Sequence, residues 1–436
     1  MTATDRNILQ IALPSIVSNI TVPLLGLADV AIVGHIGGAQ HIGAIAVGGM
    51  IFNVIYWIFG FLRMGTSGMT SQAYGADDGD ETARLLLRSL AVALAVAACI
   101  LVLQRPLLRL ALFAINPTPD MMPMVRSYFS ICVWGAPAML GLYGMTGWYI
   151  GMQNTRIPML VSIIQNVVNI AASLILVFGV GMRVEGIALG TLIAQYAGFG
   201  MAVALFFGRY RTVWQRSVPR GVFVRGAMLR FFSVNRDIFL RTLCLVAVNL
   251  HFLSAGAAMG AETLAVNTLL MQFFTLFSYV MDGFAYAGEA LCGRYTGAGD
   301  ARRLHLTVRH LFGWGAALTV VYTLLYAVGG DTFLALLTDD RGVTVAARPY
   351  FAWALAIPVA GVAAFIWDGV FIGVTATRSM LLASVVAAVA FFLIYATLVA
   401  DKGNHALWLA LISFLFVRGA VQSLLWVGGT ITKRNE

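Results

Sequence analysis

Seven ionisable side chains sit within long apolar runs of this chain: Asp29, Arg63, Arg241, Asp282, Glu289, Asp368 and Arg418. Placing a charge in hydrocarbon costs about 2.5–3.5 kcal/mol, so each is a candidate for binding, coupling or pairing. Asp29 stands apart, because its own run contains no Lys or Arg after Arg6. A carboxylate without a cationic neighbour can take a proton from one side and release it on the other, or bind a cationic solute. At about 100° per residue, Ser15, Asn19, Gly26 and Asp29 share one side of a helix that Pro14 and Pro23 are expected to bend. That side is expected to face a cavity. The competing reading puts Asp29 near the outer helix end, solvated or hydrogen-bonded.

A second polar stripe, Ser162, Asn166, Asn169 and Ser173, occupies one narrow helical face further on. It would line a wet lumen or supply interhelical hydrogen bonds, since both uses draw on the same residue types. Towards the C-terminus, Ser278, Asp282 and Glu289 share a face and Asp368 lies two runs later, with Arg241 and Arg418 available as partners. These groups form either an ion site or a structural ion-pair network. Arg63 is placed to pair with Asp29 or to shape the cavity. No His-Glu-x-x-His, Gly-x-Ser-x-Gly or Walker-type pattern is present, and Gly65-Thr66-Ser67-Gly68 misses the nucleophile motif. The histidines His35, His41, His251, His305, His310 and His405 show no ligand spacing, and Cys99, Cys132, Cys244 and Cys292 read as small apolar fillers. Neither catalysis nor a metal site is expected. No ATP-binding motif is present either, so an ion gradient is expected to supply the drive.

The elements that must position these groups are membrane helices. Of 436 residues, 60% are apolar and 11% charged, with mean hydropathy +0.86, whereas globular chains carry about 25% charge. Apolar runs of the roughly 20 residues needed to cross a bilayer fall near 8–34, 42–72, 83–104, 123–152, 157–181 and 186–208, and again near 236–258, 263–293, 303–328, 346–375, 378–400 and 406–428. The expected fold is therefore an all-α integral membrane protein. It has twelve transmembrane helices in two six-helix lobes: an N-lobe over 1–208, an arginine-rich link over 209–235 and a C-lobe over 236–436. The lobes repeat. Gly38-Ala39 recurs as Gly260-Ala261, Gly75-Ala76 as Gly297-Ala298, Arg126-x-Tyr128-Phe129 as Arg348-x-Tyr350-Phe351, and Gly147-x-x-Ile150-Gly151 as Gly369-x-x-Ile372-Gly373, each pair 222 residues apart. Paired repeats in membrane proteins commonly enclose a solute site and rock about it.

The link carries Arg209, Arg211, Arg216, Arg220, Arg225, Arg230 and Arg236, whereas the loops near 35–41 and 259–262 have no Lys or Arg. By the positive-inside rule, the link and both termini are expected to be cytoplasmic, in an inner (cytoplasmic) membrane. The N-terminal run lacks a cleavage signal and is expected to be a retained span. The net charge of +9 lies mostly at helix ends, so the bilayer explains it and no nucleic-acid partner is expected.

The motifs resemble a known family. Leu13-Pro14-x5-Asn19-x3-Pro23-Leu24-x-Gly26-x2-Asp29-x4-Gly34, Gly60-Phe61-Leu62-Arg63-Met64-Gly65-Thr66, Gln165-Asn166-x2-Asn169-Ile170, Gly186-Ile187-Ala188-Leu189-Gly190-Thr191, Asp282-Gly283-Phe284-Ala285-Tyr286-Ala287 and Trp367-Asp368-Gly369-Val370-Phe371-Ile372-Gly373 resemble the DinF branch of the multidrug and toxic compound extrusion (MATE) family. The resemblance covers nearly the whole chain. It implies two lobes, a central cavity open alternately to each side, and ion-driven efflux of small amphipathic, often cationic, compounds; separately, a monomer is expected. It also implies that Asp29 is the coupling carboxylate, with Asn169 and Thr191 in the same N-lobe pocket. Many members carry an acidic residue four positions after the fifth-helix Asn. Here that residue is Ser173, which leaves one N-lobe carboxylate and weakens cation binding there. The expected coupling ion is H+, acting through Asp29 with Asn19, Asn166, Asn169, Ser173 and Thr191. The alternatives are Na+, with Asp282, Glu289 and Asp368 as the C-lobe site, or flipping of a lipid-linked oligosaccharide. The last would call for a basic central groove, which the arginine placement disfavours.

Overall fold

The computed structural model describes residues 2–34, 38–216, 221–338 and 340–428. His35, Arg220 and residues 35–37 of the arginine-free loop lie outside them.

In hydrocarbon no water is available to satisfy the backbone, so a spanning segment must bond to itself as a helix. The apolar runs do so. Helix α1 is Ala3–Gly34, continuous through Pro14 and Pro23. It is followed by α2 (Gln40–Gly75), α3 (Gly79–Val102), α4 (Met122–Gly151), α5 (Arg156–Gly179) and α6 (Val184–Arg209). The second set is α7 (Arg225–Ala258), α8 (Ala261–Gly297), α9 (Ala301–Leu337), α10 (Arg341–Gly373), α11 (Thr377–Lys402) and α12 (Asn404–Val427). Helices α2 to α12 are each long and apolar enough to cross a membrane. With the 32-residue α1, the chain has twelve membrane helices. No strand occurs among the described residues.

The 222-residue repeat is written into the backbone. Helices α2 and α8 close at Gly75 and Gly297, and the next turns place Asp77 (φ 56°) and Gly299 (φ 67°) in the left-handed region. Asp78 and Asp300 then cap α3 and α9, accepting from the backbone N–H of Glu81 and of Arg303 at 2.9 Å, which satisfies one of the free donors at each helix start. Helices α4 and α10 end at Gly151 and Gly373, followed by Gln153 (φ 62°) and Thr375 (φ 54°). A Cβ on Gly147 would strike the backbone oxygen of Arg63, and one on Gly369 the backbone oxygen of Ala285. One turn on, a Cβ on Gly151 would lie 2.9 Å from the Ser67 oxygen and one on Gly373 2.8 Å from the Glu289 oxygen. Every pair keeps the 222 spacing. In lipid, helices associate through close packing rather than hydrophobic drive, so these glycines set the α2–α4 and α8–α10 crossings.

The helices form two compact units, Leu13–Phe232 and Met1–Ala12 with Ser233–Glu436. In the first, Phe52 stacks on Phe129 with centroids 5.2 Å apart, and Trp148 lies edge-on to Phe206 and Tyr210. In the second, Phe273 meets Tyr326, Phe333 and Phe351 edge to face. The segment between α6 and α7 is more structured than its composition suggests. It contains a short helix, Arg211–Arg216, and α7 starts at Arg225, well inside the stretch read as a link. The buried Arg88 of α3 holds the residues just before α7, donating to the Val222 oxygen at 2.6 Å, the Gly221 oxygen at 3.2 Å and the Glu81 carboxylate.

Candidate functional site

In the first unit polar side chains of α4, α5 and α6 connect, one to the next, to Asp29 of α1. Its Oδ1 is buried without a hydrogen-bond partner, and among the described residues it forms no ion pair. Arg63 is buried and engaged in other interactions, as is the half-buried Asn19. The Asp29 carboxylate lies within electrostatic reach of Tyr128 and Cys132 on α4, and the Tyr128 hydroxyl approaches both Cys132 and Thr191. The Asn169 amide nitrogen donates to the Thr191 hydroxyl at 3.1 Å, while its own oxygen is buried and unpartnered. Asp29, Tyr128, Thr191 and Asn169 therefore form one polar path across α1, α4, α6 and α5.

The α5 stripe divides between the two uses open to it. Ser162 shares a 3.2 Å hydrogen bond with the Thr21 hydroxyl, and the Asn166 amide donates to the Thr21 backbone oxygen at 3.1 Å. These two hold α5 to α1. Ser173 is buried, its hydroxyl unpartnered, and a Cβ on Gly190 would strike it. The glycine at 190 is what lets α6 approach α5 closely at Ser173. Sequence periodicity did not single out Tyr128, and Cys132 read as filler. The Cys132 thiol lies 3.6 Å from the Ala188 oxygen, to which it donates. Tyr128 repeats as Tyr350, and that repetition was the available signal.

In the second unit Asp368 is the hub of a buried ion cluster. Its Oδ2 accepts from Arg241, with Arg418 at 3.8 Å, and its Oδ1 accepts from Gln422 at 3.0 Å. All four are less than a tenth exposed. Arg418 also lies over the Phe414 ring at 5.4 Å, and Asp282 acts on it electrostatically. Glu289 is buried on α8 and is not free of partners. The Ser278 hydroxyl donates to its own helix, to the Thr275 oxygen. Gln422 was not anticipated from sequence. No group of three or more His, Cys, Asp or Glu side chains poised to hold a metal occurs among the described residues.

One unit thus holds a carboxyl oxygen without a counter-charge among hydroxyls and amides. The other holds a carboxylate whose oxygens are all engaged by two guanidiniums and an amide. The second joins α7, α10 and α12 through Arg241, Asp368, Arg418 and Gln422.

The MatE family model matches residues 14–175 and 238–396, one stretch in each half. The chain is 36% identical over 428 residues to the DNA damage-inducible protein F of Escherichia coli, covering 98% of this chain and 93% of that one. It is 25% identical over 441 residues to Protein DETOXIFICATION 44, chloroplastic, of Arabidopsis thaliana, covering 98% and 82%. Its fold is similar to that of a solved multidrug resistance MATE family transporter of the MOP superfamily in an outward-facing conformation, with TM-score 0.89, 16% identity and coverage of 100% of this chain and 97% of that one.

Proposed function

The chain belongs to the MatE family and is a membrane transporter rather than an enzyme, and we propose that it exports amphipathic, often cationic, compounds in exchange for protons through Asp29. The observation that carries this reading is the buried, unpartnered Oδ1 of Asp29 beside the Tyr128, Thr191 and Asn169 path. A carboxylate already paired with Arg63 would have no reason to release or accept a proton during a cycle.

The proposed cycle begins when the outward-facing protein takes up a proton at Asp29. Neutralising the carboxylate removes its attraction for a cationic compound, which leaves to the outside. Return to the inward-facing state delivers the proton and restores the anion, which draws the next cation. The Asn169 oxygen and the Ser173 hydroxyl, both unpartnered, offer neutral acceptors to a polar solute group. The halves exchange accessibility as paired repeats do. The arginine-rich segment and both termini face the cytoplasm of an inner membrane, as the arginine distribution supports.

Sodium draws less support. It prefers several oxygen ligands at once, and both Asp368 oxygens are already committed. The test is uptake of a cationic dye into inside-out vesicles under an imposed pH gradient or an imposed sodium gradient. The reading requires drive by pH alone, lost in Asp29→Asn. Drive by sodium alone would overturn it.

A further inference from the structure

The repeat maps the Asp29 site onto a second place in the chain. Adding 222 to Asp29 gives His251, to Asn169 gives Phe391 and to Ser173 gives Tyr395. In the C-terminal unit these three positions meet. The His251 ring lies 4.8 Å from Tyr395, 5.8 Å from Phe391 and 5.1 Å from Phe392, all T-shaped. Its Nε2 is buried without a hydrogen-bond partner. Where one half sets a carboxyl group among an amide and hydroxyls, the other sets an imidazole among aromatic rings.

We infer that His251 is a second proton-binding site, the repeat counterpart of Asp29. It goes beyond the Asp29 reading and stands on the geometry of the C-terminal unit alone. Imidazole is the side chain whose ordinary protonation range spans neutral pH. Its unpartnered nitrogen lacks the hydrogen bond that would commit it to one protonation state. T-shaped neighbours bring ring edges and π faces together, and an aromatic face within about 6 Å attracts a cation. The surrounding rings therefore offer the imidazolium π faces where the other half would offer a carboxylate.

Formal charges are sparse along the helices around it. On α7 the nearest is Arg241, ten residues back and committed to Asp368. On α11, which supplies the cage, none lies between Arg378 and Asp401, and Tyr395 is the titratable neighbour. Helix α12 touches α7 through Trp408, 5.1 Å from Phe252, and carries none between His405 and Arg418. Helix α8 carries none between Glu262 and Asp282.

The test uses the full-length protein in lipid nanodiscs with isotope-labelled histidine. His251→Gln assigns the His251 ring resonance by its disappearance. Should that variant not fold, a chain with the other five of the six histidines replaced shows His251 alone. The resonance is expected to move as the pH is lowered, in the wild type and in Asp29→Asn alike. In vesicles the proton-to-dye ratio is expected to fall by about one in His251→Gln. A pH-invariant His251 resonance, or an unchanged ratio, overturns the inference. A titrating His251 beside transport insensitive to Asp29→Asn would sink the Asp29 reading and leave this one standing.

Discussion

Asn169 on α5 gives its amide hydrogen to the Thr191 hydroxyl on α6 across 3.1 Å, and keeps its own oxygen buried and unpartnered. An unsatisfied acceptor of this kind costs about 1–3 kcal/mol, a cost a scaffold has no reason to keep. Asn169→Ala should therefore leave thermal stability nearly unchanged, because it deletes the unpaired oxygen along with a bond worth about 0.6 kcal/mol in membranes. The same variant should weaken dye binding several-fold. Thermal unfolding and dye titration in detergent check the two halves of this prediction.

Asp29→Asn and Asp368→Asn should separate cleanly. Asn at 29 removes a carboxylate that has no ion-pair partner among the described residues, so the protein should accumulate normally and lose pH-driven transport. Asn at 368 leaves Arg241 and Arg418 buried without their counter-charge, and breaking a buried pair in this way costs about 3–5 kcal/mol. Melting temperatures and membrane abundance should drop for Asp368→Asn alone.

Gly147→Ala and Gly369→Ala should behave as a matched pair. Each added Cβ meets a backbone carbonyl oxygen, of Arg63 in one case and Ala285 in the other, and backbone cannot swing aside as a side chain can. Overpacking of about 1–3 kcal/mol is expected for each. Gly26→Ala, where a Cβ would meet nothing within 4 Å, is the control and should melt like the wild type.

The N-terminus should loosen in acid. Asp5, ahead of the membrane-spanning part of α1, accepts from the Thr2 backbone N–H at 2.8 Å and lies 2.8 Å from His310 Nδ1. The Thr2 N–H, followed by the His310 contact, holds its carboxyl below the ordinary carboxylate range. A carboxylate whose pKa is depressed by folding stabilises the folded form above its unfolded value of 3.8, and that stabilisation is lost as pH falls below it. Hydrogen exchange over the first turn of α1 should thus be unchanged between pH 7 and 5 and faster below pH 3.8 than the intrinsic rate predicts. Asp5→Asn should show the fast exchange already at pH 7.

Much of this was legible in the residues. Twelve apolar runs gave the helices because lipid leaves the backbone no other means of satisfying itself, and the 222 spacing gave the two halves because shared turns and glycine crossings demand shared residues. Asp29 announced itself by isolation in its own helix. What escaped were the partners reached across helices: Tyr128 beside Asp29, Gln422 on Asp368, and Arg88 holding Gly221 and Val222. Periodicity says which face a residue occupies, not which neighbour that face meets. The segment after α6 was read as a link from its arginines, yet helix propensity and the Arg88 contacts order most of it.

The most direct test of the account is proton counting on binding. Purified protein in weakly buffered detergent near neutral pH is mixed with a cationic dye, and a pH indicator records protons released as the dye binds. Competition at one carboxylate predicts release from the wild type in proportion to the dye bound, and weaker binding without that release from Asp29→Asn. Dye binding by the wild type with no proton release, or equal release from Asp29→Asn, would contradict it.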